Sequence, residues 1–436
     1  MPGGGLVTCS YWPEPRAARF QGGDEHEPGS WELEGIQHHS GCGCALMKYR
    51  TDQVRGYLIC LLIGLMGTEI GVVKAAVQSD VRGEAATSLT ANDVEPRSLH
   101  IAVRYVPELK VAVHLDATRQ FTALASLDAT WQSSVVSFEN ATSESEVEIY
   151  RMWGRYAASR FEARLGRQKL SFGAATLLRP LMWFDSIDPR DPLKITDGVD
   201  AVLVRYFLLN NANLWLWGIY GSDEPKGWEV APTAQETVEY GGRLQWPAGN
   251  GEIAFSYHHR RADLAALAPS TAPPLPDPEA PEDRFALDAK WDVVLGFWFE
   301  AVLIHQQHNL LERPYRRLAS VGIDYTFGIG QGLTALAEHL FLGASEQPFG
   351  STDTSDYSAL LLRYLWGVVD EFSLILYRDW DADQLFSFLE WRRTYDHWSL
   401  HLMAFANPAE GRPSPLMPEN DLLAGHGGRI LIVLNH

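Results

Sequence analysis

Val238, Tyr240, Gly242, Leu244 and Trp246 share one parity of the chain, while Glu239, Gly241, Arg243 and Gln245 share the other. Ile253, Phe255 and Tyr257 then stand against Glu252, Ser256 and His258. Phe285, Leu287, Ala289 and Trp291 stand against Arg284, Asp288 and Lys290. Ala319, Val321, Ile323, Tyr325 and Phe327 oppose Ser320, Gly322, Asp324 and Thr326. A period of two over about ten residues predicts strands with one apolar and one polar face, and no helical period fits them.

The connections add a second pattern. Polar stretches at 132–145, 174–197, 222–237, 261–282, 306–316, 342–355 and 407–426 alternate with short turns near 157–159, 210–212, 248–250, 293–294, 328–331, 367–368 and 395. Alternating long and short connections fit an antiparallel meander whose two ends meet different surroundings. The fold expected is all-β: a transmembrane antiparallel up-and-down β-barrel, with about 16 strands from residue 121 onward. Residues 97–118, read as a further hairpin (RSLHIAVRYV, then KVAVHLDATR), raise the count to about 18. A propeller would need a repeat of roughly 40–50 residues, which is not found. A sandwich would not need Trp153, Trp246, Trp291, Trp366, Trp380 and Trp391 near strand ends, where interfacial girdles sit. The terminal GGRILIVLNH alternates up to the end of the chain and supplies a closing strand, although it ends in His436 rather than in the aromatic common to outer-membrane barrels.

Ahead of the barrel, residues 47–75 carry a secretory signal pattern. Basic Lys48, Arg50 and Arg55 precede an apolar stretch from Tyr57 to Met66, and Val73 and Ala75 provide small residues for cleavage. Residues 1–46 read as an unstructured, over-extended N-terminus, and 76–120 as a segment that contributes one hairpin to a barrel at 121–436. All four cysteines (Cys9, Cys42, Cys44 and Cys60) precede residue 76, so the exported part is cysteine-free. Zinc at Cys42, Cys44, His38 and His39 is disfavoured by the tight Cys-x-Cys spacing and the lack of a second pair. No metal or cofactor is expected.

Composition sharpens the picture. Net charge is −19, and falls to −17 once residues 1–75 are removed with their six Lys/Arg and eight Asp/Glu. The acid excess argues against nucleic acid as a partner and suggests a preference for cations. The expected partners are outer-membrane lipid, the barrel-assembly machinery and small polar solutes.

The stretch from Arg160 to Phe207 resembles a motif of porin-like bacterial outer-membrane barrels, including the alginate-export-type group. The matching residues are Gly166, Arg167, Gln168, Phe172, Gly173, Pro180, Asp185, Pro189, Gly198, Val199 and Asp200. The resemblance implies a barrel fold and a channel. An alginate exporter would need a basic lumen for its polyanion, at odds with the acid excess of this chain.

If the polar parity faces the lumen, Glu162, Arg164, Glu239, Arg243, Asp288, Lys290, Glu300, Asp324, Arg363 and Glu371 line it. The loop from Arg179 to Thr196 is both charged and stiff. It holds Arg179, Asp185, Asp188, Arg190, Asp191 and Lys194, with Pro180, Pro189 and Pro192 fixing the backbone and Trp183 and Phe184 as apolar anchors. It is expected to fold inward as the pore constriction; the alternative is an external cap held by salt bridges. Enzymatic chemistry is not expected. Ser256 and His258 share a strand face, but no orienting group is evident for them. His258 and His259 point to opposite faces, and His305 with His308 makes only a weak metal candidate. The function expected is passive diffusion of small polar or charged solutes through a water-filled lumen. A substrate-specific exporter and a plugged structural or adhesive barrel are the alternatives.

Overall fold

The structure, a computed structural model, describes residues 76–436 apart from 138–139, 223, 268–276, 309–311, 351–352 and 410–421. The signal segment 47–75 and the N-terminal 1–46 lie outside the described residues. Strands follow in chain order: β1 (Ala76–Asn92), β2 (Leu99–His114), β3 (Gln120–Ser137), β4 (Asn140–Ala158), β5 (Phe161–Gln168) and β6 (Val199–Phe207). Next come β7 (Asn213–Tyr220), β8 (Val238–Ala248), β9 (Gly251–Asp263), β10 (Glu279–Asp292), β11 (Gly296–Gln306) and β12 (Tyr315–Phe327). The series ends with β13 (Leu333–Ser345), β14 (Asp353–Trp366), β15 (Asp370–Asp379), β16 (Gln384–Thr394), β17 (Trp398–Ala406) and β18 (His426–Asn435).

Each strand pairs antiparallel with its neighbours in sequence, and β1 pairs with β18 from Glu84↔Asn435 to Asn92↔Gly427. That pairing closes an 18-stranded barrel and leaves no free edge. Sixteen of the strands follow residue 119, as the alternation predicted, and the first hairpin adds two.

That hairpin differs from expectation. Residues 97–118 supply one strand rather than two, and its partner is β1. The predicted break falls at Pro107, which the strand runs through. The β2–β3 register passes from Tyr105↔Ala129 to Glu108↔Ser126 without slipping, leaving Val106 and Pro107 unpaired on that side. Proline lacks an N–H, and the ladder skips its position on the β3 side. The polar stretch 132–145 is also largely strand, with Gln132↔Glu144 and Trp131↔Ser145 paired across β3 and β4.

Exposed apolar side chains sit on one parity around the wall, among them Leu165, Leu216, Leu244, Leu389 and Leu434. A band of this kind on a closed barrel faces lipid. Trp246, Trp366 and Trp380 are exposed at its margins. Trp153 is a correction to the predicted girdle. It shares the inward parity of Arg151 and Arg155, with the Arg164 guanidinium 4.8 Å from its ring centre.

Candidate functional site: a loop held inside the barrel

The connection from β5 to β6, residues 169–198, leaves the rim and crosses the interior. Its backbone fixes the departure. Gly166, two residues before the end of β5, has φ +115°, and a Cβ there would lie 2.2 Å from the Met152 carbonyl oxygen on β4. Gln168, wholly buried, donates through Nε2 to Ala201 O at 2.9 Å and Gly166 O at 3.2 Å, tying the first step of the loop to β6. Gly173, φ +101°, lets the backbone pass so close to Glu300 that a Cβ would meet its Oε1 at 2.4 Å. Among the other motif positions, Arg167 pairs in register with Asp200, and Gly198 lies against the Arg167 side chain. Pro180 is buried in the loop.

Two inward carboxylates receive the loop. Glu300 on β11 accepts the backbone N–H of Ala174 (2.6 Å) and Ala175 (2.8 Å) on Oε1 and of Leu181 (3.2 Å) on Oε2. Glu338 on β13 accepts Thr176 (2.6 Å) on Oε1 and Leu177 (2.8 Å) and Leu178 (2.5 Å) on Oε2. Six N–H groups of an irregular segment are thus satisfied where helix or sheet partners are missing. Around them Leu170, Leu178, Leu181, Trp183 and Phe184 form one apolar core with inward Leu203, Trp217, Trp298, Leu340 and Phe388. Over β11–β17 the inner wall is therefore largely apolar, where the polar-inside expectation gave a uniformly wet lumen. Loop side chains, instead of water, cover it.

The charged loop residues divide by partner. Arg179 and Asp185 form a two-pronged pair (2.6 and 3.0 Å), and Arg190 with Asp188 another (2.9 and 2.8 Å). Arg190 also lies 5.4 Å from the Phe388 ring centre, and Asp191 sits 3.9 Å from Arg429 on β18. Lys194 is exposed, with φ +48°. Burial lowers the pKa of Lys169 at the root of the loop below the ordinary lysine value.

All ten residues expected to line the lumen carry the inward parity, in three groups. Glu239, Arg243, Asp288 and Glu300 are deeply buried, Arg243 gripping Asp288 at 2.6 and 2.8 Å with Phe172 5.0 Å away. Near the short-turn rim, Glu162 gathers Arg164 (3.0 Å), Arg155 (3.7 Å) and Arg205 (3.9 Å), and Glu371 takes Arg392 (2.9 Å) and Arg363 (3.5 Å). Lys290 lies 3.8 Å from Asp292, and Asp324 approaches Gly296 of the neighbouring β11.

His258 acquires the orienting group that the sequence did not reveal: Nε2 lies 3.0 Å from Glu239, while Nδ1 accepts from the Trp217 indole at 3.2 Å. Both ring nitrogens are engaged, and Ser256 is held instead by Arg243 at 3.0 Å. His259 faces outward against Asp283 at 2.8 Å. His305 stacks on Tyr315, and His308 bonds Asp277 O at 2.8 Å, so these two do not converge.

A further cluster sits near the long-loop rim. Arg260 and Arg284 on β9 and β10 share Glu282, with Nε–Oε1 distances of 2.7 and 2.8 Å, and Arg316 reaches the other oxygen at 3.2 Å. Glu229 joins from the β7–β8 connection. The wall residues have the same inward parity as Ser256 and Asp288, the one sequence signal that could have found them. Glu229 had none.

No family model and no curated protein matches the sequence. Solved structures match in shape. OccK2 (OpdF) of Pseudomonas aeruginosa in complex with glucuronate is 8% identical, with 82% of this chain and 96% of that one covered and a TM-score of 0.55. Acinetobacter baumannii OccAB4 is 6% identical, covering 82% and 97%, with a TM-score of 0.51. Salmonella typhi OmpF in complex with daunomycin is 8% identical, covering 84% and 99%, with a TM-score of 0.44.

Proposed function

We propose that this protein is a bacterial outer-membrane channel that passes small polar or charged solutes by passive diffusion, with the 169–198 loop as its constriction. The observation that carries this reading is the anchoring of that loop on the inner wall by Glu300 and Glu338. A loop held across the interior narrows the route and fixes its width. The route follows the polar inner face of β1–β5 and the charged ring at the short-turn rim. Arg155, Arg164 and Arg205, gathered around Glu162, bring charge to that rim. The barrel-assembly machinery inserts the chain, and outer-membrane lipid contacts its apolar band. Catalysis has no part in the reading.

Reconstitution in a planar bilayer tests it. Wild-type protein should conduct with a preference for cations, in keeping with the acid excess, and Glu300→Ala/Glu338→Ala should conduct more. A second reading, a plugged structural or adhesive barrel, is favoured by the apolar inner wall. It predicts no conductance from either protein and no swelling of liposomes. The finer alternative, a substrate-specific exporter of the alginate-export type, rests on the motif from Gly166 to Asp200 alone.

A further inference from the structure

Glu229 is the only described residue of the β7–β8 connection whose carboxylate enters the arginine cluster of the wall. Its Oε1 lies 2.7 Å from Arg284 Nη2 and its Oε2 3.3 Å from Arg260 Nη1, while Oε2 also accepts Lys226 N at 2.9 Å. The Glu229 side chain is 4% exposed, although it arrives from a surface connection. The wall presents three guanidiniums, Arg260, Arg284 and Arg316, and their one shared wall carboxylate is Glu282. Glu239 is taken up by His258 and Thr233. Arg260 Nη2 remains buried without a hydrogen-bond partner. Without Glu229 the cradle holds an uncompensated positive charge, which buried surroundings penalise heavily. Planar guanidiniums on adjacent strands suit a carboxylate taken by two prongs.

We propose that the Arg260–Arg284–Arg316 cradle is a binding site for a small carboxylate, occupied by Glu229 until an anion arriving from the long-loop rim displaces it. Towards β8 the connection is fastened independently of Glu229, by Arg260 Nη1 to Ala231 O (3.0 Å) and Thr233 Oγ1 (3.2 Å), Thr233 Oγ1 to Glu239 (2.7 Å), Ala234 N to Arg261 O (2.8 Å) and Asp263 N to Pro232 O (2.9 Å). Around Glu229 itself the bonds are Trp228 Nε1 to Arg179 O (2.8 Å) and Arg316 Nη1 to Trp228 O (3.2 Å). The Trp228 bond reaches the constriction loop at Arg179, so release of Glu229 is transmitted to the residues that narrow the interior. A tethered competitor acts at an effective concentration on the order of millimolar, so a free carboxylate should bind in that range. The binding stands apart from the channel reading; only its effect on conductance rests on that reading.

The experiment uses the full chain in detergent, titrated with succinate and, as a neutral control, succinamide. Saturable binding of succinate by calorimetry, with faster hydrogen exchange across residues 224–237, is expected; succinamide should do neither. Glu229→Gln removes the competitor and should bind succinate about tenfold tighter. Arg284→Lys keeps the charge, loses the fork and should bind at least about tenfold weaker. No succinate binding by either wild type or Glu229→Gln, or equal affinity in the two, overturns the proposal. Conductance is recorded in parallel: binding without any conductance sinks the channel reading and leaves the anion site standing.

Discussion

Glu300 and Glu338 stand on strands separated by one other and divide a single run of loop backbone between them, Glu300 taking Ala174, Ala175 and Leu181 and Glu338 taking Thr176 to Leu178. Among the described residues, each carboxylate is the only side chain meeting those N–H groups. Truncating Glu338 to Ala orphans three donors at about 1–3 kcal/mol each. The expected result is faster hydrogen exchange at 174–181 and a lower unfolding midpoint, with the barrel still closed. Unchanged exchange in the loop would contradict the anchoring role.

The buried pair and the rim pair should respond differently. Asp288→Ala leaves the Arg243 guanidinium buried and without its carboxylate, a loss of about 3–5 kcal/mol. Arg363→Ala removes a half-exposed side chain 3.5 Å from Glu371, worth roughly 0–1 kcal/mol. Urea unfolding of the two variants side by side measures the contrast.

Gly166→Ala should fail more completely than either. The added methyl meets the Met152 carbonyl at 2.2 Å in a backbone conformation that disfavours side chains. Gly249→Ala, also at positive φ but with nothing within 4 Å, costs about 1–2 kcal/mol. The yield of barrel that migrates compactly in unheated gels should fall sharply for the first and little for the second.

The seam between the first hairpin and β18 has a pH dependence. Asp93 accepts the His426 N–H at 2.7 Å, and that bond holds its pKa below the ordinary 3.8. The ionised form therefore contributes stability at pH values above the ordinary pKa, and the contribution is lost as pH falls through the lower folded value. Asp93→Asn should flatten the acid limb of a thermal-stability profile below about pH 4, while leaving neutral-pH stability only slightly reduced.

Much of the wall was legible because its outer face has one job. Leu244, Phe255, Leu287 and Ile323 all meet lipid, so period-two alternation survives there. Inside, the pattern breaks over sequences such as Leu333–Ser345, where Leu336 and Leu340 point inward as Phe341 points outward. Both faces are apolar, and nothing local says which is covered by lipid and which by a distant loop. Glu300 was found by parity, but its partners are backbone N–H groups that leave no trace in residue type. Glu338 and Glu282 were missed although they obey the same rule, and Glu229 lies in a connection without periodicity. The hairpin boundary near Pro107 was misplaced because a proline reads as a turn, whereas here the strand runs on and the β3 ladder leaves that position unpaired.

The apolar inner wall and the loop packed on it give this barrel two solvents to escape. Detergent can go on shielding the outer band after the strands separate. Leu178, Trp183 and Phe388 would then pass into water, as core residues of a water-soluble protein do. Calorimetric unfolding in micelles should therefore show a clear positive heat-capacity increment, and barrels whose interiors hold only water and charges should lack most of it.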